Sequence, residues 1–170
     1  MNYFVHESSY VDKGAIIGEG TKIWHFCHIM SKAKIGKHCN IGQNVFIGDN
    51  VVLGDNCKVQ NNVSIYKGVI IGDDVFVGPS VVFTNIKAPR SFISRKNEYN
   101  KTVIKRGVTL GANSTIICGI TLCEYSFIGA GSVVTKSVSP HTIVYGNPAR
   151  IIGPVTRDAN EIFNRLENKR

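Results

Sequence analysis

A branched aliphatic residue or Phe stands at every sixth position from Val5 to Phe83: Val5, Val11, Ile17, Ile23, Ile29, Ile35, Ile41, Ile47, Leu53, Val59, Ile65, Ile71, Val77 and Phe83. A small or β-branched residue follows four positions after each of the first thirteen, from Ser9, Ala15 and Thr21 through Cys27, Cys39 and Cys57 to Val81. After a break the pattern resumes as Ile104, Leu110, Ile116, Leu122, Ile128 and Val134. A helix face needs mixed steps of three and four, and a half-buried strand alternates every second residue. A strict six fits neither. It predicts a short strand, a corner and another short strand, with the aliphatic and the small residue both pointing inward. The corners fall to Gly18, Gly36, Gly54 and Gly72, and to Asp49-Asn50, Asp55-Asn56 and Asp73-Asp74, residue types that tolerate positive φ.

These hexads resemble the hexapeptide-repeat family. The resemblance implies an all-β fold, a left-handed parallel β-helix with three hexads per triangular coil. Twenty hexads then make six to seven coils, a prism on the order of 30 Å tall at about 4.8 Å per strand. A solenoid buries its core between neighbouring coils, so one domain over residues 1–153 is expected. Residues 85–102 interrupt it: Phe83 to Ile104 is 21 residues instead of six, which loops out about fifteen. Long insertions in compact domains are usually functional. The tail, residues 154–170, is expected to carry a short α-helix over 158–169. Asp158 with Glu161 fits a capping box, and Ile162, Phe163 and Leu166 make an apolar stripe suited to covering the open end of the prism.

Three hexads per coil stack residues eighteen apart along one edge, so the sequence sorts by edge. One edge, around Gly18, carries Glu19, Lys22, Lys37, His38, Asp55, Lys58, Asp73 and Asp74, and reads as solvent-facing. A second carries Asp12, Lys13, Lys32, Lys34, Asp49 and Lys67 and ends at Thr84-Asn85, where the insertion departs. The third reads Trp24-His25-Phe26 and His28, Gln43-Asn44 and Phe46, Gln60-Asn61-Asn62 and Ser64, then Gly78-Pro79-Ser80. Aromatics and amides with almost no formal charge suit the centre of an interface. This edge is expected to pack against a second subunit, and the family implies a homotrimer with ligand grooves between subunits.

The net charge is +8, and the stretch 87–106 holds seven basic residues against Glu98 alone, a net +6. Stacking aromatics are sparse there and no nucleic-acid motif accompanies the charge, so anionic small molecules or subunit contacts are the expected partners. Of five cysteines, Cys27, Cys39 and Cys57 fall at inward positions as small core residues, and Cys118 and Cys123 have no metal spacing. No signal peptide or membrane-length apolar run is read, which predicts a reduced cytoplasmic protein without a membrane span.

A narrower resemblance rests on QNNVSIY (60–66), GPSVVFTN (78–85), PRS and RK (89–91 and 95–96), GVTLGANSTIICG (107–119), IGAGSVVTK (128–136) and GNPAR (146–150). Over this stretch the chain resembles N-acetyltransferases of bacterial surface-polysaccharide synthesis that acetylate 3-amino sugars on nucleotide carriers. That resemblance implies acetyl-CoA as cosubstrate, contacted by backbone at Gly111, Ala112 and Ala130, with Lys136, Asn147, Pro148 and Arg150 near its phosphate and adenine end. Asn85 is the expected catalytic residue, orienting the amine. His25, Asn61, Asn62, Arg90, Arg95, Lys96 and Tyr99 are expected to bind the substrate. No metal is implied. The cations of the PRS…RK block favour a UDP-linked 2-acetamido-3-amino uronate, with a dTDP-linked 3-amino-3,6-dideoxyhexose as the alternative. The coils from 104 onward hold no histidine that could serve as a base, so direct attack on the thioester is expected. A γ-class carbonic anhydrase needs three converging histidines, and His25, His28 and His38 fall at different hexad positions. A non-catalytic β-helix scaffold is the remaining alternative of a different class.

Overall fold

The structure is a computed structural model, and it describes residues 2–160 and 162. The hexads form a parallel β-solenoid of three sheets, consistent with the left-handed winding implied above. The first sheet holds eight parallel strands, from Phe4–Val5 to Thr142–Gly146, plus one antiparallel strand, Ala149–Pro154; the second holds seven strands and the third six. Strands pair in register eighteen residues apart, as Lys22 with Asn40 and Lys58 with Phe76. Across the insertion the offset becomes thirty-three, as Phe76 with Thr109 and Val82 with Thr115. The excess of fifteen is the length of chain looped out.

The prism is taller than the six to seven coils expected, with eight parallel rungs on the first sheet. Beyond Val134 the beat shortens to four residues and then returns to six. Val138 bridges in parallel to Leu122, and Val144 pairs with Ile128. Neither falls on the strict six-residue period. At the far end a hairpin over Gly146–Ala149 folds Ala149–Pro154 back onto the last parallel strand. That strand ends the first sheet, a role assigned above to the terminal helix. Asn160 and Ile162 are helical, and the rest of the helix expected over 158–169 lies outside the described residues.

Every hexad aliphatic from Ile23 to Val134 is buried, with Phe83 the largest of the fully buried side chains. From residue 14 to residue 80 each corner places one residue in the left-handed region. Phe26, Lys32, His38, Asn44, Asn50, Asn56, Asn62, Asp74 and Ser80 have φ between 54° and 62°, with glycines at 14, 20 and 68 completing the series. Gly18, Gly36, Gly54 and Gly72 are not among them, so their expected role is corrected. A Cβ at Gly18, Gly36 or Gly54 would lie 2.4–2.7 Å from atoms of the next coil, mostly backbone. They permit close stacking of coils, and the residue two places later turns the corner.

The inward small position also carries hydrogen bonds. The Thr21 hydroxyl donates to the Gly36 carbonyl at 2.8 Å, and the thiols of Cys27, Cys39 and Cys57 donate to the carbonyls of Gly42, Gly54 and Gly72 at 2.9–3.1 Å. These cysteines are therefore more than small apolar fillers. The Cys39 thiol together with burial pushes the Cys57 thiol well above its ordinary range, which keeps it a protonated donor. Thr21 also accepts the Cys39 amide at 3.0 Å while fully buried. Thr21→Val strands a buried amide and a buried carbonyl together, and is expected to cost about 1–3 kcal/mol in denaturant unfolding.

Candidate functional site

Three corners separate the sheets. The first, between the first and second sheets, carries His25, Asn61 and Asn62; the second, between the second and third sheets, carries Asp49, Lys67 and Asn85. The insertion leaves the second corner after strand Val82–Phe83. Thr84 is pinned there because the Cys118 amide donates to its hydroxyl at 2.9 Å. The Asn85 carbonyl accepts the Asn100 amide at 2.9 Å, and the Thr102 amide donates to the Gly68 carbonyl at 2.9 Å. These bonds close the neck of the loop, so the fifteen extra residues form a bounded excursion.

The loop lies back along the second corner towards the earlier coils. It encloses a cleft of about 520 Å³ between Asn85, Lys96, Asn97 and Tyr99 on the loop and Met30, Phe46, Gly48, Asp49, Tyr66 and Lys67 on the coils. Of the expected residues, the cleft unites Asn85, Lys96 and Tyr99. Among the described residues the Asn85 carboxamide has no hydrogen-bonded side-chain partner. Lys67 Nζ stands 3.4 Å from Asp49 Oδ2 and 6.0 Å from the centre of the Tyr99 ring. An aromatic ladder climbs the outer face of the second sheet towards the cleft, with centroid spacings of 5.9 Å for Tyr10–His28, 5.8 Å for His28–Phe46 and 5.8 Å for Phe46–Tyr66. No histidine lines the cleft.

Lys96 also borders an adjoining cleft of about 500 Å³ inside the loop, lined by Arg90 and Arg95 with Phe92 and Ile93. Arg95 is already paired, since its Nη1 lies 2.7 Å from Glu98 Oε2. Arg90 is exposed and donates to its neighbour's carbonyl at 3.3 Å. The loop thus offers Arg90 and Lys96 as cations free of a carboxylate partner among the described residues.

The other expected substrate residues lie apart from this cleft within the protomer. His25 stacks against His6 with ring centroids 3.5 Å apart. Asn61 Oδ1 accepts the Gln43 amide at 2.9 Å, and Asn62 Oδ1 accepts from Asn44 Nδ2 at 3.0 Å. Both carboxamide oxygens join one coil to the next. Trp24 and Phe26 at the same corner are exposed.

The expected cofactor residues also divide. Lys136 and Arg150 share a cleft of about 470 Å³ with Val144 and Ala149 near the end of the prism. Asn147 and Pro148 form the hairpin beside it. Gly111, Ala112 and Ala130 stack at the first corner, where a Cβ on Gly111 would lie 2.4 Å from the Ala130 nitrogen. The lack of a side chain at Gly111 is therefore demanded by coil stacking, whatever else it contacts. Among the described residues no group of three or more His, Cys, Asp or Glu is arranged to hold a metal ion, and no helix is long and apolar enough to cross a membrane.

Met30, Phe46, Tyr66 and Lys67 were not singled out from sequence as ligand contacts. A signal existed. Positions 30, 48, 66 and 84 are eighteen apart on the corner from which the loop departs.

The model of the bacterial transferase hexapeptide (six repeats) family matches residues 14–49, 50–85 and 101–136, and that of the hexapeptide repeat of succinyl-transferase matches 32–67. A dTDP-3-amino-3,6-dideoxy-α-D-galactopyranose 3-N-acetyltransferase from Aneurinibacillus thermoaerophilus is 50% identical over 159 residues, covering 94% of this chain and 82% of that protein. Among solved structures, a galactoside acetyltransferase in complex with coenzyme A aligns with a TM-score of 0.65 at 27% identity, over 78% of this chain and 68% of that one. A hexapeptide-repeat acetyltransferase from Vibrio cholerae complexed with acetyl coenzyme A aligns with a TM-score of 0.57 at 29% identity, over 68% and 70%.

Proposed function

Because the chain belongs to the bacterial hexapeptide-repeat transferase family, we propose that it is an acetyl-CoA-dependent N-acetyltransferase acting on the 3-amino group of a dTDP-linked 3-amino-3,6-dideoxyhexose. The observation that carries this reading is the gathering of Asn85, Lys96 and Tyr99 in one cleft where the repeat is interrupted. The substrate named for the half-identical relative supports the dideoxyhexose over the uronate favoured from sequence. Physical grounds point the same way. The uronate was preferred because the loop offered cations for a carboxylate, yet Arg95 already has Glu98. A 6-deoxy sugar carries a methyl group there, and Met30, Phe46, Tyr66 and Tyr99 give the cleft apolar surface. Arg90 and Lys96 then serve the diphosphate.

In the proposed mechanism the neutral amine attacks the thioester carbonyl carbon. The new C–N bond forms, the C–S bond breaks, and the nitrogen's proton passes to the departing thiolate, giving the free thiol of CoA. Asn85 holds the amine so that its lone pair faces the carbonyl, and this positioning supplies the acceleration. With no histidine in the cleft, an essential group near ~6.5 is not expected in the pH–rate profile of kcat. His25→Ala should leave that profile's shape unchanged; loss of a limb near that pH in the variant would contradict the mechanism.

Lys136 and Arg150 are proposed to hold the phosphate end of acetyl-CoA, in a homotrimer whose grooves join the cleft of one subunit to the first corner of another. Lys136→Ala with Arg150→Ala is expected to raise the KM for acetyl-CoA about tenfold or more, with kcat nearly unchanged, as loss of uniform binding requires. The reading as a whole is tested by thiol release from acetyl-CoA with each acceptor in turn. Turnover with the dTDP-linked sugar well above that with the UDP-linked uronate is expected. The reverse order would restore the uronate, and no release with either would favour a non-catalytic scaffold.

A further inference from the structure

Phe92 stands out on the inserted loop. It is 81% exposed, more than any other large hydrophobic residue among those described. Single exposed apolar residues are ordinary on protein surfaces, but this one is held in place. The Ile93 amide donates to the Arg90 carbonyl at 3.2 Å, and the two residues form an antiparallel bridge, so Ser91 and Phe92 are the central pair of a tight turn. The turn sets Phe92 in the wall of the loop cleft of about 500 Å³, together with Ile86, Pro89 and Ile93. That volume is within the range of small-ligand sites. Arg90 and Lys96 line the same cleft, and Lys96 also lines the cleft of Asn85. The two clefts thus adjoin at Lys96, one holding the Asn85 carboxamide and the other an open aromatic face.

We propose that the loop cleft is the nucleoside subsite, with the base laid against the Phe92 ring. The inference rests on the reading of the substrate as a nucleotide sugar and deepens it by placing the far half of that molecule. A nucleotide sugar is linear: sugar, diphosphate, then nucleoside. With the sugar amine at Asn85 and the diphosphate at Lys96 and Arg90, the nucleoside continues past these cations into the loop cleft. Every base has a π face, so a bare aromatic ring holds it without reading its edge. The base covers the Phe92 ring once the diphosphate is seated, which removes apolar surface of both from water. Discrimination among substrates then falls to the sugar in the Asn85 cleft, and Phe92 supplies affinity for the carrier.

Calorimetric titration of the full chain with dTDP and with 2-deoxyribose 5-diphosphate, which keeps the diphosphate and lacks the base, tests this on the wild type, Phe92→Ala and Phe92→Tyr. Loss of the ring is expected to weaken dTDP about five- to hundredfold, the range for one base stacked on one aromatic side chain. The abasic diphosphate should bind the wild type and Phe92→Ala alike, and Phe92→Tyr, which keeps the ring, should hold dTDP close to wild-type strength. Equal affinity of the wild type and Phe92→Ala for dTDP would overturn the proposal. So would an equal loss for both ligands, which a general disturbance of the loop or of a subunit contact would produce. Failure of dTDP to bind the wild type at all would remove the nucleotide-sugar reading as well, whereas dTDP binding indifferent to Phe92 removes the loop subsite alone. Phe92 lies outside the buried core, so both variants are expected to keep the wild-type melt.

Discussion

Asn85→Ala lowers kcat by about 10²–10³, with the folded protein and its KM for acetyl-CoA little changed. The size follows from the role proposed for Asn85. A single preorganised polar group at the reacting centre contributes about 3–4 kcal/mol to the barrier when nothing nearby replaces it. Among the described residues of the protomer no histidine lines the cleft, so no imidazole of the same subunit stands ready to take over. Stability is spared because the neck of the loop is closed by the Asn85 main-chain carbonyl, which the substitution keeps. Steady-state kinetics with the dTDP-linked acceptor, alongside a thermal melt, checks both halves of the expectation. A melt lowered in step with the rate would assign Asn85 to the loop's architecture instead of to the reaction.

Phe83→Ala produces the opposite profile. Phe83 is 1% exposed, sits in the last strand before the insertion, and is the largest side chain wholly enclosed by the prism. Truncating a buried Phe removes its transfer free energy and leaves a cavity that the stiff neighbouring rungs do not refill, a loss of about 3–5 kcal/mol. For a chain of this length that lowers the melting midpoint on the order of 10 °C. Each coil of a solenoid touches only its neighbours, so the damage falls on the coil that launches Asn85. Denaturant unfolding followed by backbone circular dichroism measures the loss. A change below about 1 kcal/mol would mean that the core at the loop's origin is not packed as described.

The contrast between these two residues shows what a sequence of this kind carries. The six-residue beat specified the register, because inward and outward positions leave each rung one way to sit on the next: Lys22 meets Asn40, and the thirty-three-residue offset at Phe76 and Thr109 counts the insertion. Beat and corner chemistry were separable only in three dimensions. Gly36 and Gly54 looked like turn formers, yet they are needed for backbone approach, while Phe26 and His38 take the left-handed conformation against their preference. The shift of phase at Val138 hid the last rungs from a strict count. At the site, Asn85, Lys96 and Tyr99 were legible because the failure of the repeat marked them. Their partners Met30, Phe46 and Asp49 were not, because an eighteen-residue stack says which residues share a corner but not towards which end fifteen inserted residues fold. His25, Asn61 and Asn62 fall on another corner than Asn85, as the sorting by edge expects, and the eighteen-residue stack alone does not say whether the two corners meet across subunits.

Acetyl transfer is expected at the cleft headed by Asn85. A crystal structure of the protein with CoA and the dTDP-linked 3-amino-3,6-dideoxyhexose tests it most directly. The sugar's 3-amino nitrogen is expected about 3 Å from the Asn85 carboxamide, facing the CoA sulfur. A sugar bound with its amine beyond hydrogen-bond reach of Asn85, and a different residue at the nitrogen, would contradict the account.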